Sequence, residues 1–229
     1  MQKLICGKTK DVYLQPDGHL LLVFKDTVTG TAGKIDPGAN EVIGELAGKG
    51  QGSSSLSIHF FKLLTEKGLP THFIKPGPEP NTMVVKKARS FELEVICRKQ
   101  ARGSFVRRYG KWVTAGTPLP SLVEFTLKDD KRGDPFINED TLVALGILAA
   151  DTILALKKIA QQATSILKAD LAARGLELLD IKYEFGEVDG RTVIIDEISG
   201  DTMRVMQHGR ILQPDELCSA YYNSPCRQR

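Results

Sequence analysis

Three charged residues alternate along one short segment: Asp180, Lys182 and Glu184, with large apolar residues at the positions between and after them. Residues two positions apart in a β-strand lie on the same face. The segment therefore predicts a strand with one apolar face in the core and one face that presents two carboxylates and an ammonium group. Such a face fits a solvated surface as well as a reactive site, so the neighbouring motifs must distinguish the two.

A further carboxylate, Asp196, closes the next apolar run, where a buried charge requires a cation or a hydrogen-bond partner. We predict that Glu184 and Asp196 form a pair. The turn signal Asp189-Gly190 favours a two-residue hairpin that would place Glu184 opposite Ile195, so we expect a bulge that brings Glu184 opposite Asp196. Two adjacent carboxylates suit Mg²⁺, which completes its ligand shell with water and phosphate oxygens.

Basic residues next to turns are candidate anion sites. Lys8 and Lys10 flank a turn after Gly7, and a predicted strand ends at Arg98, six residues before Ser104. Ammonium, guanidinium and backbone amide groups all bind phosphates. Each of these motifs alone also fits an ordinary solvated turn. The chain has neither a Walker motif nor the glycine-rich motif of dinucleotide-binding folds, which excludes those two phosphate-binding designs.

The first half of the chain must supply the strand turn that holds the lysines. Short apolar runs separated by turn residues predict an antiparallel meander over residues 4–24. A helix capped by the serines at 53–55 and ended by Gly68 should lie on this meander. A boundary between two lobes is predicted near residues 87–92.

The second half must supply the charged strand and its neighbours. The pattern is helical from Asn138, with an apolar stripe that ends near Gly175. Two strands joined by a hairpin follow over residues 178–198.

Composition excludes several function classes. The chain has 31 basic and 28 acidic residues, a balance that argues against a nucleic-acid partner recruited by net charge. No segment approaches the roughly 18 to 20 apolar residues of a membrane span, and charge interrupts the first eight residues before a secretory signal could form. We therefore expect a cytoplasmic protein without membrane or nucleic-acid partners.

Five segments, in order, resemble the motifs of the phosphoribosylaminoimidazole-succinocarboxamide (SAICAR) synthetase family of purine biosynthesis. They are residues 7–13, 94–104, 128–135, 178–186 and 196–204. The resemblance covers residues 4–204, and five ordered motifs are more specific than any one of them.

The resemblance implies a two-lobed, ATP-grasp-like α+β fold, with a mainly antiparallel lobe over residues 1–87 that covers ATP and an α+β lobe over residues 88–229. It implies an ATP- and Mg²⁺-dependent carbon–nitrogen ligase that joins L-aspartate to the carboxylate of carboxyaminoimidazole ribotide through an acyl phosphate. It is also compatible with a homo-oligomer.

The resemblance also implies roles for individual residues. ATP would bind at Lys8, Thr9, Lys10, Lys86 and Lys128, with adenine near residues 87–92; Mg²⁺ would bind at Glu184 and Asp196; the phosphorylated substrate would bind at Arg98, Ser104, Asp134 and Arg204; and Lys182 and Asp201 would act at the reacting carboxylate.

Four residues, Ala32, Arg102, Met206 and Gln207, depart from the family pattern around the second and third substrates. They leave open a related amide-forming ligase that uses a different heterocyclic carboxylate or amine. A small-molecule kinase is a further alternative, because the same lysines and carboxylates would serve phosphoryl transfer to a hydroxyl group. A nucleotide-binding protein without turnover is another.

Overall fold

The computed structural model describes residues 1–36 and 39–223 of the 229-residue chain. The strands are β1 (Gln2–Cys6), β2 (Lys10–Leu14), β3 (Leu20–Phe24), β4 (Thr27–Thr31), β5 (Lys34–Ile35), β6 (Glu41–Glu45), β7 (Phe73–Pro76), β8 (Thr82–Val85), β9 (Arg89–Gln100), β10 (Pro118–Leu127), β11 (Phe136–Ile137), β12 (Glu177–Val188), β13 (Arg191–Ile195), β14 (Met203–Gln207) and β15 (Arg210–Ile211). The helices are α1 (Lys49–Glu66), α2 (Gly103–Tyr109), α3 (Glu139–Ala144), α4 (Ala150–Ala172) and α5 (Pro214–Tyr222), with a short 3₁₀ turn at Asp130–Arg132.

The predicted meander is present as β1, β2 and β3, which β8 and β7 extend into a five-stranded antiparallel sheet. Its apolar face, including Phe24 and Met83, packs against Leu56 and Phe60 of α1. All four side chains are at most 2% exposed, so this contact forms the core beneath the lysine-bearing turn.

Helix α1 begins at Lys49, earlier than the serine cap predicted from the sequence, and that part of the prediction is wrong. Gly48 lies in the left-handed region (φ 81°) and starts the helix, so the serines fall inside it. There their hydroxyl groups donate to neighbouring elements: Ser54 to the carbonyl of Thr82 at 3.3 Å, and Ser57 to the carbonyl of Ile198 at 3.2 Å. Small polar residues at these positions let the helix lie close to the strands.

A small three-stranded sheet, in the order β5, β4, β6, lies between the meander and α1 in the sequence. Ala32 stands at the tight turn between β4 and β5 with a positive φ of 51° and is exposed. The chain after β5 then brings Asp36 and Asn40 to the cavities described below.

The second large sheet runs in the order β11, β10, β9, β12, β14, β15. The twelve-residue strand β12 pairs with β9 along one edge, and its other edge is shared by β14 and β13. The predicted alternation is present, because Ile181, Tyr183 and Phe185 are at most 1% exposed and join the core with α4. The opposite face carries the charged residues of the site.

The predicted hairpin between β12 and β13 is confirmed, but the bulge expected within it is wrong. Asp189 (φ 51°) and Gly190 (φ 72°) form a two-residue turn, and the strands stay in register, with Glu184 opposite Ile195. Both turn residues accept the positive φ that such a turn needs, so no extra residue is required. A register shift occurs instead on the other edge of β12, against β9, between Glu184 and Gly186.

The two large sheets meet through backbone and side-chain contacts. Thr71 forms a parallel bridge with Ile194, and the His72 amide donates to the Ile194 carbonyl at 3.0 Å. Helix α5 packs against α1, where the Tyr221 hydroxyl lies 2.6 Å from Nε2 of His59. Among the described residues, no helix is long and apolar enough to cross a membrane.

Candidate functional site

Two adjoining cavities open on the charged face of the second sheet. We call the first, of about 330 Å³, the lysine cavity; Lys8, Lys10, Lys128, Glu184 and Asp196 line it. The second, of about 470 Å³, is the arginine cavity; Arg98, Ser104, Asp180 and Arg204 line it. The residues that border both cavities are Ala39, Asn40, Glu94, Lys182 and Thr202. Both volumes suit a small-molecule ligand.

Two lysines neutralise the carboxylates of the lysine cavity. Lys10 Nζ lies 3.0 Å from the Asp196 carboxylate and 2.7 Å from Glu197 Oε1, and Lys128 Nζ donates to Glu184 Oε2 at 2.5 Å. Burial alone would lower the pKa of each lysine, but the neighbouring carboxylates outweigh it and raise the pKa of both. Both ammonium groups therefore stay charged and face the cavity.

Glu184 and Asp196 interact electrostatically although they are not opposite each other in the hairpin. Asp196 has a positive φ of 70° at the end of β13, and this conformation departs from the strand path. Burial and the Asp196 charge raise the pKa of Glu184. At Asp196 burial acts in the same direction, but Lys10 and Lys128 outweigh it and lower its pKa to about 2.

The donor set of the pair fits a magnesium ion. Its four carboxylate oxygens are hard ligands on one cavity wall, and Mg²⁺ takes one or two protein carboxylates when phosphate oxygens and water complete its shell. Within the described ranges, no group of three or more His, Cys, Asp or Glu side chains could hold a metal on its own. A metal at Glu184 and Asp196 would therefore take its remaining ligands from water or phosphate oxygens.

The turn after β1 brings Lys8 and Thr9 to the lysine cavity. Lys8 Nζ donates to Asn40 Oδ1 at 2.6 Å and to Asp130 at 2.9 Å, and the Thr9 hydroxyl donates to Glu197 at 3.2 Å. Lys86 is different: it is exposed just after β8 and is not among the described residues that line either cavity. Its backbone amide donates to the His72 carbonyl.

Arg98 lies at the base of the arginine cavity with 1% of its surface exposed. Its guanidinium group donates to Glu124 at 2.6 Å, to Asp180 at 3.1 Å and to the Ser104 hydroxyl at 3.0 Å. A buried guanidinium group with carboxylate and hydroxyl partners is held in one orientation. Ser104 is the second residue of α2, so the start of this helix also faces the cavity.

Arg204 on β14 lies opposite Asp180 on β12 in the sheet register. Its Nη1 donates to Asp180 at 2.9 Å, and its Nη2 donates to Asp36 Oδ1 at 2.5 Å. Asp134 is on the same cavity wall and accepts from Nδ2 of Asn40 at 2.5 Å. The predicted substrate residues Arg98, Ser104, Asp134 and Arg204 therefore line a single cavity.

Lys182 stands on the wall between the two cavities. Its Nζ donates to Glu94 Oε1 at 2.6 Å, and the other oxygen of Glu94 accepts from the Thr126 hydroxyl at 2.7 Å. Burial alone would lower the pKa of Lys182, but the negative charges of Glu94 and Glu184 outweigh burial and raise this pKa. Lys182 therefore places a charged ammonium group where a ligand in the lysine cavity would meet a ligand in the arginine cavity.

Asp201 lines the lysine cavity and is not among the described residues that line the arginine cavity. It forms a buried ion pair with Lys49 of α1 and accepts from the Ser53 hydroxyl at 3.1 Å. Burial and the Glu197 charge raise its pKa to about 6. These contacts tie the loop before β14 to the start of α1.

Sequence reasoning gave no role to several residues that the structure places at the site. They are Asp36, Asn40, Lys49, Glu94, Glu124 and Glu197. Glu94 and Glu124 could have been found from strand alternation, because Glu94 lies four positions before Arg98 and Glu124 lies two positions before Thr126. No local signal marks Asp36 or Asn40, which lie outside regular strands and reach the cavities through long-range contacts.

Comparisons with known proteins agree with this geometry. The family model described as SAICAR synthetase matches residues 3–216. A phosphoribosylaminoimidazole-succinocarboxamide synthase from Clostridium tetani is 47% identical, over 92% of this chain and 95% of the relative; one from Thermotoga petrophila is 42% identical, over 91% and 87%.

Solved structures of SAICAR synthetases are also similar to this chain. A structure described as SAICAR synthetase (Type-2) in complex with ADP is 35% identical, with a TM-score of 0.84 over 96% of this chain and 94% of that one. A SAICAR synthetase from Pyrococcus horikoshii is 35% identical, with a TM-score of 0.81 over 93% and 94%. The predicted α+β, ATP-grasp-like fold is confirmed. The chain belongs to the SAICAR synthetase family.

Proposed function

We propose that the chain is a cytoplasmic ATP-dependent ligase that joins L-aspartate to the carboxylate of carboxyaminoimidazole ribotide and forms SAICAR. The observation that carries this proposal is the pair of adjoining cavities, one lined by lysines and one by arginines, with Lys182 on their common wall. Phosphoryl transfer from a nucleotide to a second substrate requires this adjacency, because the two reacting oxygens must approach the same phosphorus atom.

In this proposal the lysine cavity binds ATP. Lys8, Thr9, Lys10 and Lys128 contact its phosphates, and Lys86 lies toward the adenine side, near the start of β9. The ADP complex of the Type-2 relative supports nucleotide binding by this fold, since that protein shares the fold over almost the whole chain. Glu184 and Asp196 would hold Mg²⁺, which supplies positive charge against the phosphate oxygens when it is bound.

The arginine cavity binds the phosphorylated substrate in this proposal. Arg98, Ser104 and Arg204 contact its phosphate, and Asp134 contributes to the wall near Asn40. Support comes from the placement of the guanidinium groups, because Arg98 and Arg204 both donate to Asp180 and line the same cavity. Bidentate contacts between guanidinium groups and a phosphate are strong and directional.

The reaction then has two steps. A carboxylate oxygen of the substrate attacks the γ-phosphorus of ATP, and the bond between that phosphorus and the bridging oxygen breaks. ADP is released, and the substrate carboxylate becomes an acyl phosphate. The aspartate amine next attacks the acyl carbon, inorganic phosphate leaves, and the amine proton is released. Lys182 lies between the two cavities, where the phosphoryl group is transferred in the first step, and its positive charge stabilises that group. Asp201 ties the loop after β13 to α1 and so positions that loop beside the lysine cavity, where the reacting carboxylate would lie in this proposal.

We also propose that residues 1–87 and 88–229 form two lobes that enclose the nucleotide. This division is supported by the sheets, since the first is built from strands up to Val85 and the second from strands that begin at Arg89.

The test is ADP release by the purified protein with ATP, Mg²⁺, carboxyaminoimidazole ribotide and L-aspartate, with each substrate omitted in turn. We expect release only when all are present, and a product whose mass equals that of the two organic substrates minus water. Release with another heterocyclic carboxylate or amine would move the assignment to a related ligase. Release with a hydroxyl substrate and no amine would identify a kinase and contradict the proposal.

A further inference from the structure

Asp36 occupies a position in the arginine cavity that no substrate role explains. Its Oδ1 accepts from Nη2 of Arg204 at 2.5 Å, and its Oδ2 lies 3.4 Å from Nη1 of Arg107 on α2. The carboxylate thus bridges two guanidinium groups, as an oxyanion of a bound phosphate would.

Among the described residues, Asp180 and Asp36 are the carboxylates that contact Arg204, and they differ in their surroundings. Asp180 is 2% exposed and lies on β12 between two arginines, so it belongs to the fixed sheet. Asp36 keeps 19% of its side chain exposed and follows the two-residue strand β5 at the edge of the small sheet. Both carboxylates line the cavity, but Asp180 is the buried partner that the sheet holds in place, and Asp36 is the partner that is more accessible to solvent.

A phosphate dianion and the Asp36 carboxylate repel each other when both approach the same guanidinium group. Desolvation by the cavity walls strengthens this repulsion, because Arg204 is only 15% exposed and is screened from water. A phosphorylated ligand that reaches Nη2 of Arg204 must therefore displace Asp36, and the free energy of breaking that ion pair is subtracted from its binding.

We propose that Asp36 is a placeholder for the substrate phosphate, which keeps Arg204 and Arg107 paired until a phosphate monoester replaces it. This inference rests on the proposed function, since it takes Arg98, Ser104 and Arg204 as the phosphate site. Asp36 is thus a specificity-determining residue, and its charge lowers the affinity of the cavity for phosphate.

The test compares Asp36→Asn with Asp36→Glu and with the wild-type chain. Binding of ribose 5-phosphate and of inorganic phosphate is measured by titration calorimetry without ATP, and the KM for carboxyaminoimidazole ribotide is measured at saturating ATP and aspartate. The control is Asp189→Asn, an exposed aspartate in the β12–β13 turn, where asparagine accepts the positive φ of 51°.

We expect Asp36→Asn to bind both phosphates about tenfold more tightly and to lower the KM by a similar factor, since one charge-assisted ion pair no longer competes. Asp36→Glu and Asp189→Asn should stay within about twofold of the wild type. The KM for ATP should not change in any variant, because Asp36 does not line the lysine cavity.

Weaker or unchanged phosphate binding in Asp36→Asn would overturn the inference, and would show that Asp36 orients Arg204 or has no effect. Tighter binding in Asp36→Glu would also overturn it, because the charge would then not be the cause. Absence of ribose 5-phosphate binding in every variant would contradict the phosphate site itself. Tighter binding in Asp36→Asn without turnover in any variant would support the inference and contradict the proposed reaction.

Discussion

Glu184 and Asp196, the two carboxylates proposed to hold the metal ion, both have a lysine partner, and the pairs connect distant parts of the chain. Glu184 on β12 accepts from Lys128, which follows β10, and Asp196 pairs with Lys10 on β2. Each partner therefore has two roles, because it contacts a phosphate or metal ion in our proposal and also neutralises a buried charge. Substitutions at these positions must be judged by catalysis and stability together.

Replacement of Glu184 by glutamine should slow turnover by at least about 100-fold, equivalent to ~2.7 kcal/mol of lost barrier stabilisation. The amide keeps the size of the side chain but removes the charge that would hold Mg²⁺ and that pairs with Lys128. Steady-state ADP release at several Mg²⁺ concentrations measures the effect.

Glu187→Gln is the matched control, because Glu187 lies on the same strand and pairs with the exposed Arg89. Its turnover should match the wild type. Near-normal turnover of Glu184→Gln would contradict the metal assignment.

The free energy of unfolding should depend on pH through the titration of Asp201. Burial and Glu197 raise its pKa in the folded chain to about 6, from an unfolded value near 3.8. A raised folded pKa favours folding below the unfolded pKa, and this contribution is lost as pH rises through 6. In Asp201→Asn this decline, on the order of 2 kcal/mol, should be absent.

Denaturant unfolding of both proteins between pH 4.5 and 7.5 measures this difference. The variant should be less stable overall, because Lys49 loses its buried partner. An equal slope in both proteins over this range would exclude Asp201 as the titrating group.

At the scale of elements, helix α2 is placed by Gly103. This residue has a positive φ of 52°, and a Cβ atom there would lie 2.6 Å from Nη2 of Arg204. The start of α2 and the arginine on β14 thus approach each other only because the position lacks a side chain. Ser104, one residue later, reaches Arg98 for the same reason.

Gly103→Ala should raise the KM for the phosphorylated substrate about tenfold, because displacement of Arg204 misplaces a phosphate contact. The matched control is Gly68→Ala at the end of α1, where φ is 81° and nothing lies within 4 Å of the added atom. Both variants should lose roughly 1 kcal/mol of stability from backbone strain.

Steady-state kinetics give the KM of each variant, and denaturant unfolding gives its stability. Together they separate the contact with Arg204 from backbone strain. If Gly68→Ala raised the KM as much as Gly103→Ala, strain and not contact with Arg204 would be responsible.

At the scale of the whole molecule, Lys10 links the two large sheets. It lies on β2 of the first sheet and contacts Asp196 and Glu197, which follow β13 of the second. Lys10→Met should cost about 3 kcal/mol of stability at pH 7.5, since it leaves two buried carboxylates without their cation.

The loss in Lys10→Met should shrink at about pH 3. Lys10, together with Lys128, lowers the folded pKa of Asp196 from 3.8 to about 2, so this contribution to stability is present above pH 3.8 and is lost as pH falls from there toward 2. Without Lys10 the carboxylate protonates more readily, so the penalty declines in acid. Denaturant unfolding at both pH values tests this, with Lys157→Met, a surface ion-pair variant, as the control. A pH-independent loss would contradict the argument.

The sequence by itself determined the local elements and the residues of the charged strand. The meander, the two-residue turn at Asp189 and Gly190, and the alternation along β12 follow from local turn chemistry and a period of two, which act within a few residues. The motifs that resemble the family also lie within short segments, and for this reason the two-lobed α+β class could be predicted.

Only the tertiary structure decided which charges meet. Lys10 pairs with Asp196, and Asn40 bridges Lys8 and Asp134, across long stretches of chain that no local pattern relates. The early start of α1 after Gly48 was also missed, as was the positive φ of Asp196, whose carboxylate pairs with Lys10 across the two sheets. Long-range burial brings these groups together, and burial also sets their pKa values, so neither could be inferred from sequence spacing.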